Sequence, residues 1–457
     1  MPRPGSFSIV ALLLVATLAA GCDRPFVAID PPRVEVVEPT DLGDVREEAS
    51  LGIALRVSAV RGVARVDVAG APAERDGTSD LYRARVSLSS GLNAIPVEAE
   101  DVDGIVTRDT VWAVRLRFGV GIAPTADLPE GLAYHSATAL GIGRVVVAGG
   151  AGADGLARSS LYVIDETGTP LVFTVTPAGT LATARASHAA LRVPDGRVLL
   201  LGGSTRAEAA SLADLVEGAE VVDTDAGTAA AVATRGAPLR RAGHAAALLE
   251  AAGRTFVYVW GGRAAGGSGL VTPSSYEIYE WKPAAATGAA SDSLVTLTPP
   301  NGVGTLQPVT RPAYAPLAST PAGTARALST GLYVPEGSPV AAEFRFRPGA
   351  GRYPFEIIER ALVPPATPRT AAAADRLTDA LALLTGGQAA GSSPVVALDL
   401  YAPAAGRFFR VPTDLGALRT PRYGHTATSL GGGRILVLGG YPAAPSPTAT
   451  AEVILTQ

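Results

Sequence analysis

The stretch that most constrains the fold stands near the end of the chain: Arg422-Tyr423-Gly424-His425-Thr426-Ala427-Thr428, then Arg434-Ile435-Leu436-Val437-Leu438-Gly439-Gly440. The same pattern runs from Arg185 to Gly203 and from Arg241 to Gly262. Partial copies run from His135 to Gly150 and from Arg369 to Gly387. A pattern that returns after roughly 50 to 60 residues marks a propeller, in which each copy is one blade. Aligned on His425, the copies carry His135, His188, His244, Tyr314, Ala372 and His425. A Gly-Gly pair starts 14 residues later at Gly149, Gly202, Gly386 and Gly439; in the third copy it is Gly261-Gly262, after a three-residue insertion. The fourth copy is degraded. It keeps Arg311-Pro312-Ala313-Tyr314 and reaches only Ser329-Thr330-Gly331.

Each copy predicts a small-residue inner strand after the aligned position, a second strand ending at Gly-Gly, a loop, and a third strand. The third strands are expected at Leu161 to Ile164, Glu220 to Val222, Tyr276 to Tyr279, Glu343 to Phe346, Val395 to Leu400 and Ala451 to Leu455. Glycine suits the end of the second strand because it alone accepts positive φ and close backbone approach there without penalty. The last copy stops at Gln457, soon after its third strand, while Arg117-Phe118-Gly119-Val120-Gly121 precedes the first copy where a fourth strand belongs. The N-terminal segment is therefore expected to complete the last blade, which removes open sheet edges. That gives six blades; a seventh would need a second Gly-Gly between Lys282 and Arg369, and none is there.

These features resemble the kelch repeat family: a basic residue three before the His, a small alternating strand, a hydrophobic strand ending in Gly-Gly, and a later aromatic pair. The pair is Tyr401 with Phe408, and Phe346 with Tyr353; the family usually has Trp at the second place. The resemblance covers roughly residues 119 to 457 and implies an all-β, six-bladed kelch-type propeller over 118–457.

Residues 33–117 read differently. Val34 to Val37, Ile53 to Val57, Val63 to Val68, Tyr82 to Leu88, Ile95 to Ala99 and Thr110 to Leu116 are short alternating runs separated by turns such as Ser90 to Asn93. Such runs predict a β-sandwich. The stretch Val86 to Asn93, with Ala99-Glu100-Asp101-Val102-Asp103-Gly104, resembles bacterial Ig-like domains of surface proteins. Asp101 and Asp103 are read as a turn and not as a calcium loop, because no third acid or later bidentate Glu follows.

The beginning of the chain carries Arg3, an apolar run from Ile9 to Ala20, and Leu18-Ala19-Ala20-Gly21-Cys22. The run has signal-peptide length and is short for a membrane span. The segment resembles a bacterial lipoprotein signal over 1–21, with Ala19 where the family most often has Leu. The resemblance implies that Cys22 is the lipid attachment site, that 22–32 is a tether, and that the protein is held at the bacterial cell envelope, on the outer membrane or the periplasmic face of the inner membrane. Cys22 is the sole cysteine, so no intramolecular disulfide is available.

Net charge is −4 and Lys282 is the single lysine, so no clustered cations point to nucleic acid. Four histidines occur, all at one repeat position. Two readings compete: a ring of imidazoles at the channel mouth holding a metal, and strand-opening residues that bond a neighbouring blade. Metal coordination needs short, defined distances that a wide ring does not give, so the structural reading is preferred and neither metal nor cofactor is expected. No catalytic residues stand out: Gly431-Gly432-Gly433 precedes a strand and reads as a hairpin turn, not a phosphate loop. The copper radical oxidases among kelch-like propellers need a Cys cross-linked to Tyr, which Cys22 does not supply. The expected function is binding of a protein or glycan, by a monomer, through the loops after each Gly-Gly. These are Ala151 to Ser159, Ser204 to Glu217, Arg263 to Thr272, Gln388 to Ser393 and Tyr441 to Thr448. The alternatives are a propeller enzyme acting on a carbohydrate or peptide, signalled by Arg and carboxylate groups converging at the channel mouth, and a purely structural envelope component.

Overall fold

The computed structural model describes residues 30–457, apart from 169–170, 285–287, 289–290, 300–301, 321–322, 333–337, 350–352, 390–392 and 443–445. Cys22, the signal-like segment before it and most of the tether lie outside the described residues. Among the described residues the chain is all-β and built mostly of antiparallel pairs; helix there is confined to short turns such as Pro124–Ala126 and Leu212–Asp214.

Residues 33–115 form two four-stranded sheets. One holds Arg33–Glu38, Ser50–Ser58, Leu81–Ser87 and Glu74–Arg75; the other holds Ala71–Pro72, Val63–Val68, Gly91–Asp101 and Val106–Arg115. Period-2 alternation turns Leu51, Ile53, Leu55 and Val57 of the first onto Ile95, Val97, Ala99 and Val111 of the second, giving one dry core between the sheets. The long strand starts at Gly91, so residues 91–93, expected as part of a turn, already pair with the next strand; Asn93 bonds back to Ser89 through both its amide groups. Asp101 is buried and its carboxylate accepts the Asp103 and Ile105 N–H groups, which accounts for the acid as a turn fixture.

From residue 118 onward, six units each contain four strands. Their first strands are Ser136–Gly141, Ala189–Arg192, Ala245–Ala251, Thr310–Leu317, Ala373–Thr378 and Thr426–Gly431. Second strands such as Val198–Leu201 and Arg434–Leu438 are buried on both faces, which explains their unbroken apolar runs. The six first strands pack side by side in cyclic order, and the sixth returns to the first. Phe118–Ile122 pairs with Ala451–Thr456 as the fourth strand of the sixth unit, with Val120 opposite Ile454, as the sequence requires. Gly431-Gly432-Gly433 is the tight link between Thr426–Gly431 and Arg434–Leu438.

Four details depart from the sequence reading. The fifth unit's third strand begins at Leu398, not Val395. The outer strands of units two and three, Thr228–Arg235 and Ser293–Thr296, pair in parallel and fuse the two units into one eight-stranded sheet, clamped by Arg197 on Asp292 at 2.7 Å. Tyr401 does face Phe408 in register, with ring centroids 5.2 Å apart, whereas Phe346 pairs with Ile357 rather than Tyr353. The fourth unit is aligned two residues off, as described below.

The two-sheet region is docked end-on against units five and six. Val45, Val114 and Leu116 enter the same core as Leu398, Phe409 and Ile435. The Val45 N–H donates to the Arg410 carbonyl and the Arg410 N–H to the Gly43 carbonyl, while the Arg410 guanidinium grips Asp44. This loop covers the edge of Arg407–Val411, the outermost strand of unit five, and leaves that part of the edge without open pairing groups.

Candidate functional site

Two layers surround the axis on which the six first strands converge. The lower layer repeats. Arg185, Arg241, Arg369 and Arg422 are buried, and each pairs with a carboxylate on its unit's third strand: Glu220, Glu277, Asp399 and Glu452. In unit six Arg422 also donates to the Gly439 carbonyl at 2.8 Å, and Glu452 accepts the Arg419 and Thr420 N–H groups. Glu220 does the same for Ala182 and Thr183. Each such lock sets its buried guanidinium against an opposite charge, which offsets the cost of burying it, although the Nε groups of Arg185, Arg241 and Arg369 have no hydrogen-bond partner.

Where the repeat loses the Arg, the charges are rearranged. Unit one has Leu132 in place of the Arg and Tyr162 in place of the acid; the carboxylate comes instead from Glu130, which accepts the Ser160 hydroxyl at 2.7 Å. Unit four has Val309 at the Arg position, yet keeps Glu343, fully buried, now held by Arg326, Arg345 and the Tyr401 hydroxyl.

The histidines join neighbouring units. The His188 Nε2 lies 2.9 Å from the Ser136 hydroxyl of unit one, and the His135 Nε2 lies 3.0 Å from the Thr426 hydroxyl of unit six. His425 reaches the Thr385 hydroxyl at 2.8 Å, because the residue after Ala372 is Ala373. His244 meets Ala189 at that place, and its Nε2 has no hydrogen-bond partner. Burial pushes all four imidazoles down, His135 to about 4 and His244 to about 3, so they are neutral. Three of the four histidines thus bond a hydroxyl of the neighbouring unit.

Each His also packs beneath the first glycine of the preceding unit: His188 under Gly149, His244 under Gly202, His425 under Gly386 and His135 under Gly439. Under Gly261 the same place is taken by Pro312, with Val309 where the others have the Arg or its substitute. Pro312, not Tyr314, is therefore the fourth unit's counterpart of the His. Arg311 moves out of the lock layer and onto the axis.

The upper layer is the residue just before each of these positions: Tyr134, Ser187, Gly243, Arg311, Ala371 and Gly424. All six have φ between 47° and 62°, in the left-handed region. The cause is a ring of backbone bonds about the axis. Tyr134 donates to Gly424, Ser187 to Tyr134, Gly243 to Ser187, Arg311 to Gly243 and Gly424 to Ala371. Between units four and five the Thr370 hydroxyl reaches the Thr310 carbonyl at 3.4 Å. Glycine is the low-strain residue here, and a side chain costs about 1–2 kcal/mol. Tyr134 and Arg311 are held against that cost, and their neighbours make room: a Cβ on Gly424 would stand 2.7 Å from Tyr134 Cε1, and one on Gly243 3.0 Å from Arg311 Cγ.

The result is a polar, aromatic mouth. The Arg311 guanidinium stacks on Tyr134 at 4.6 Å, bonds its hydroxyl at 3.1 Å, and pairs at 2.7 Å with Glu208 from the loop of unit two. Tyr423 stacks on Tyr441 at 5.3 Å, and Tyr134 meets both edge-on or tilted. Burial raises the Tyr134 and Tyr423 hydroxyls, so both are donors at neutral pH. Glu208 is held below the usual carboxylate range by Arg311, against the opposing effect of burial. Two adjoining hollows, about 250 and 130 Å³, share Ser187, Gly243 and Arg311 in their walls. A larger hollow of about 460 Å³ lies on the two-sheet region beside Gly52, where Arg83 pairs with Glu38. It is a surface groove without the buried, strained groups of the mouth.

The loops after Gly-Gly do reach this mouth, through their first residues. Tyr441 bridges Tyr423, Arg263 pairs with Ala242, Ser204 with Ala186 and Gln388 with Thr370. The axis residues themselves were not singled out in the sequence. Their signal was available: they stand one position before a repeating residue and do not themselves repeat.

No protein family and no curated protein matches the chain. Among solved structures, the one titled "Structure of YjhT" superposes with a TM-score of 0.51 at 13% identity, covering 72% of this chain and 99% of that one. A fungal alcohol oxidase of the AA5 family, in complex with copper, matches with a TM-score of 0.42 at 15% identity, over 79% of this chain and 67% of that one. The likeness to YjhT, a kelch-type propeller protein, supports a kelch-like, propeller-like β fold.

Proposed function

We propose that the chain is a six-bladed kelch-type propeller carried on an Ig-like sandwich, and that the propeller binds a glycan at its axial mouth. The observation that carries this reading is the grouping of the half-buried Tyr134 ring with the Arg311–Glu208 pair in the walls of two adjoining hollows, with the half-buried Tyr423 ring packed against Tyr134. Aromatic faces pack against the apolar faces of sugar rings, while a paired guanidinium and carboxylate supply donors and acceptors for hydroxyls. The mouth lies near the lower end of small-ligand site sizes, which favours a sugar over a folded protein surface. The enzyme reading is weaker. Hydrolysis of a glycosidic bond commonly uses two carboxyl groups, one able to donate a proton. Glu208 is the one carboxylate lining either hollow, and Arg311 keeps it ionised.

The site is tested with the full chain on a glycan array. Binding that disappears in Tyr423→Ala, while the thermal midpoint holds, supports it; a blank array from folded wild-type protein overturns it. The proposed envelope anchor rests on Leu18 to Cys22. It fits the end-on docking, since Pro32 enters the sandwich beside Thr107, at the end away from Val45 and Leu116. Cys22→Ser is expected to move the protein out of the membrane fraction, and unchanged fractionation contradicts the anchor.

A further inference from the structure

We infer that Glu208 sets the charge preference of the mouth, so that it takes neutral, polyhydroxylated sugars and turns away their carboxylated counterparts; this rests on the glycan reading above. Arg311 is a fixed cation. Its side chain is 22% exposed, sandwiched on the Tyr134 ring and bonded to the Tyr134 hydroxyl, on a backbone locked into the axial ring. Glu208 is its outward partner, with a side chain 60% exposed. It comes from unit two and reaches Arg311 of unit four over the gap that Gly243 of unit three leaves open. An incoming ligand therefore meets the carboxylate before the guanidinium. Arg263, the other cation in the wall, donates to the Ala209 carbonyl at 3.2 Å and lies close enough to Glu208 to favour its ionised form. A hydroxyl can both donate to Glu208 and accept from Arg311. A ligand carboxylate can accept from Arg311 as well, but it has no proton to donate to Glu208 and repels it, and like charges set side by side are a means of rejection as effective as a missing contact.

The test uses the full chain and matched pairs of hexose glycans that differ only in oxidation of C6 to a carboxylate. Wild-type protein is expected to prefer the neutral member by about tenfold or more, and Glu208→Gln to shift the ratio toward the carboxylated member by about tenfold or more. Glu208→Asp, which keeps the charge, is expected to retain the neutral preference. A ratio unchanged in Glu208→Gln, with wild-type protein binding and both proteins folded by thermal midpoint, overturns the charge-selection inference alone. Absence of binding by wild type and variant to every pair overturns it together with the glycan reading.

Discussion

The lock layer and the axial ring occupy positions two residues apart in every unit, three residues and one residue before the same place, yet they are filled by opposite rules. In the lock layer chemistry repeats: four arginines find four third-strand acids, and the units that lose the Arg rearrange their charges with Glu130, Arg326 or Arg345. In the axial ring geometry repeats and chemistry does not: six left-handed residues carry Tyr, Ser, Gly, Arg, Ala and Gly. A position under purely structural demand would converge on glycine at that φ. The side chains kept there in spite of strain are the ones that build the mouth, which separates what holds the fold from what faces a ligand.

The comparison can be broken most severely in the lock layer. Arg422→Ala leaves Glu452 buried without its cation and uncaps the Gly439 carbonyl, and is expected to cost about 3–5 kcal/mol, read as a lowered urea midpoint. A loss below about 1 kcal/mol would show that the lock is not structural. The buried histidines give the next largest effect. His135 titrates near 4 in the folded protein because burial disfavours its charge, whereas an unfolded His titrates near 6.5. The unfolded chain thus binds the proton first as pH falls. Its contribution is complete above about pH 6.5 and is lost progressively down to about pH 4, amounting to roughly 3 kcal/mol. His135→Gln is expected to flatten the stability profile across that window, and an unaltered slope would contradict neutral burial. A smaller and opposite effect belongs to His244. Ala189→Ser restores the hydroxyl that Ser136 and Thr426 supply to the neighbouring histidines, and is expected to raise stability by about 1 kcal/mol.

The repeat was legible because architecture writes itself six times: the Gly-Gly ends, the inner-strand alanines and the closing strand at Phe118 all follow from spacing. The mouth was not, for a physical reason. Its residues are defined by position relative to the axis, and one misplaced anchor hides them. Taking Tyr314 for the fourth His assigned Arg311 to the lock layer, where the other arginines serve structure; the packing of Pro312 under Gly261 moves it by two residues and changes its role. Glu208 has no repeat mark at all, since it sits within a variable loop and acquires meaning only when that loop folds back toward Arg311. Beyond Gly-Gly, the first loop residues Tyr441 and Arg263 pair with Tyr423 and Ala242, while Glu208 reaches Arg311 from further along its loop.

Replacing Arg311 by glycine tests the separation of fold from site most directly. The change removes a strained left-handed side chain and an ion pair whose acid is largely exposed, so the urea midpoint is expected to shift by no more than about 1 kcal/mol equivalent. Glycan binding on the array is expected to vanish in the same preparation. Binding that survives in Arg311→Gly, or a collapse in stability like that of Arg422→Ala, would contradict the account.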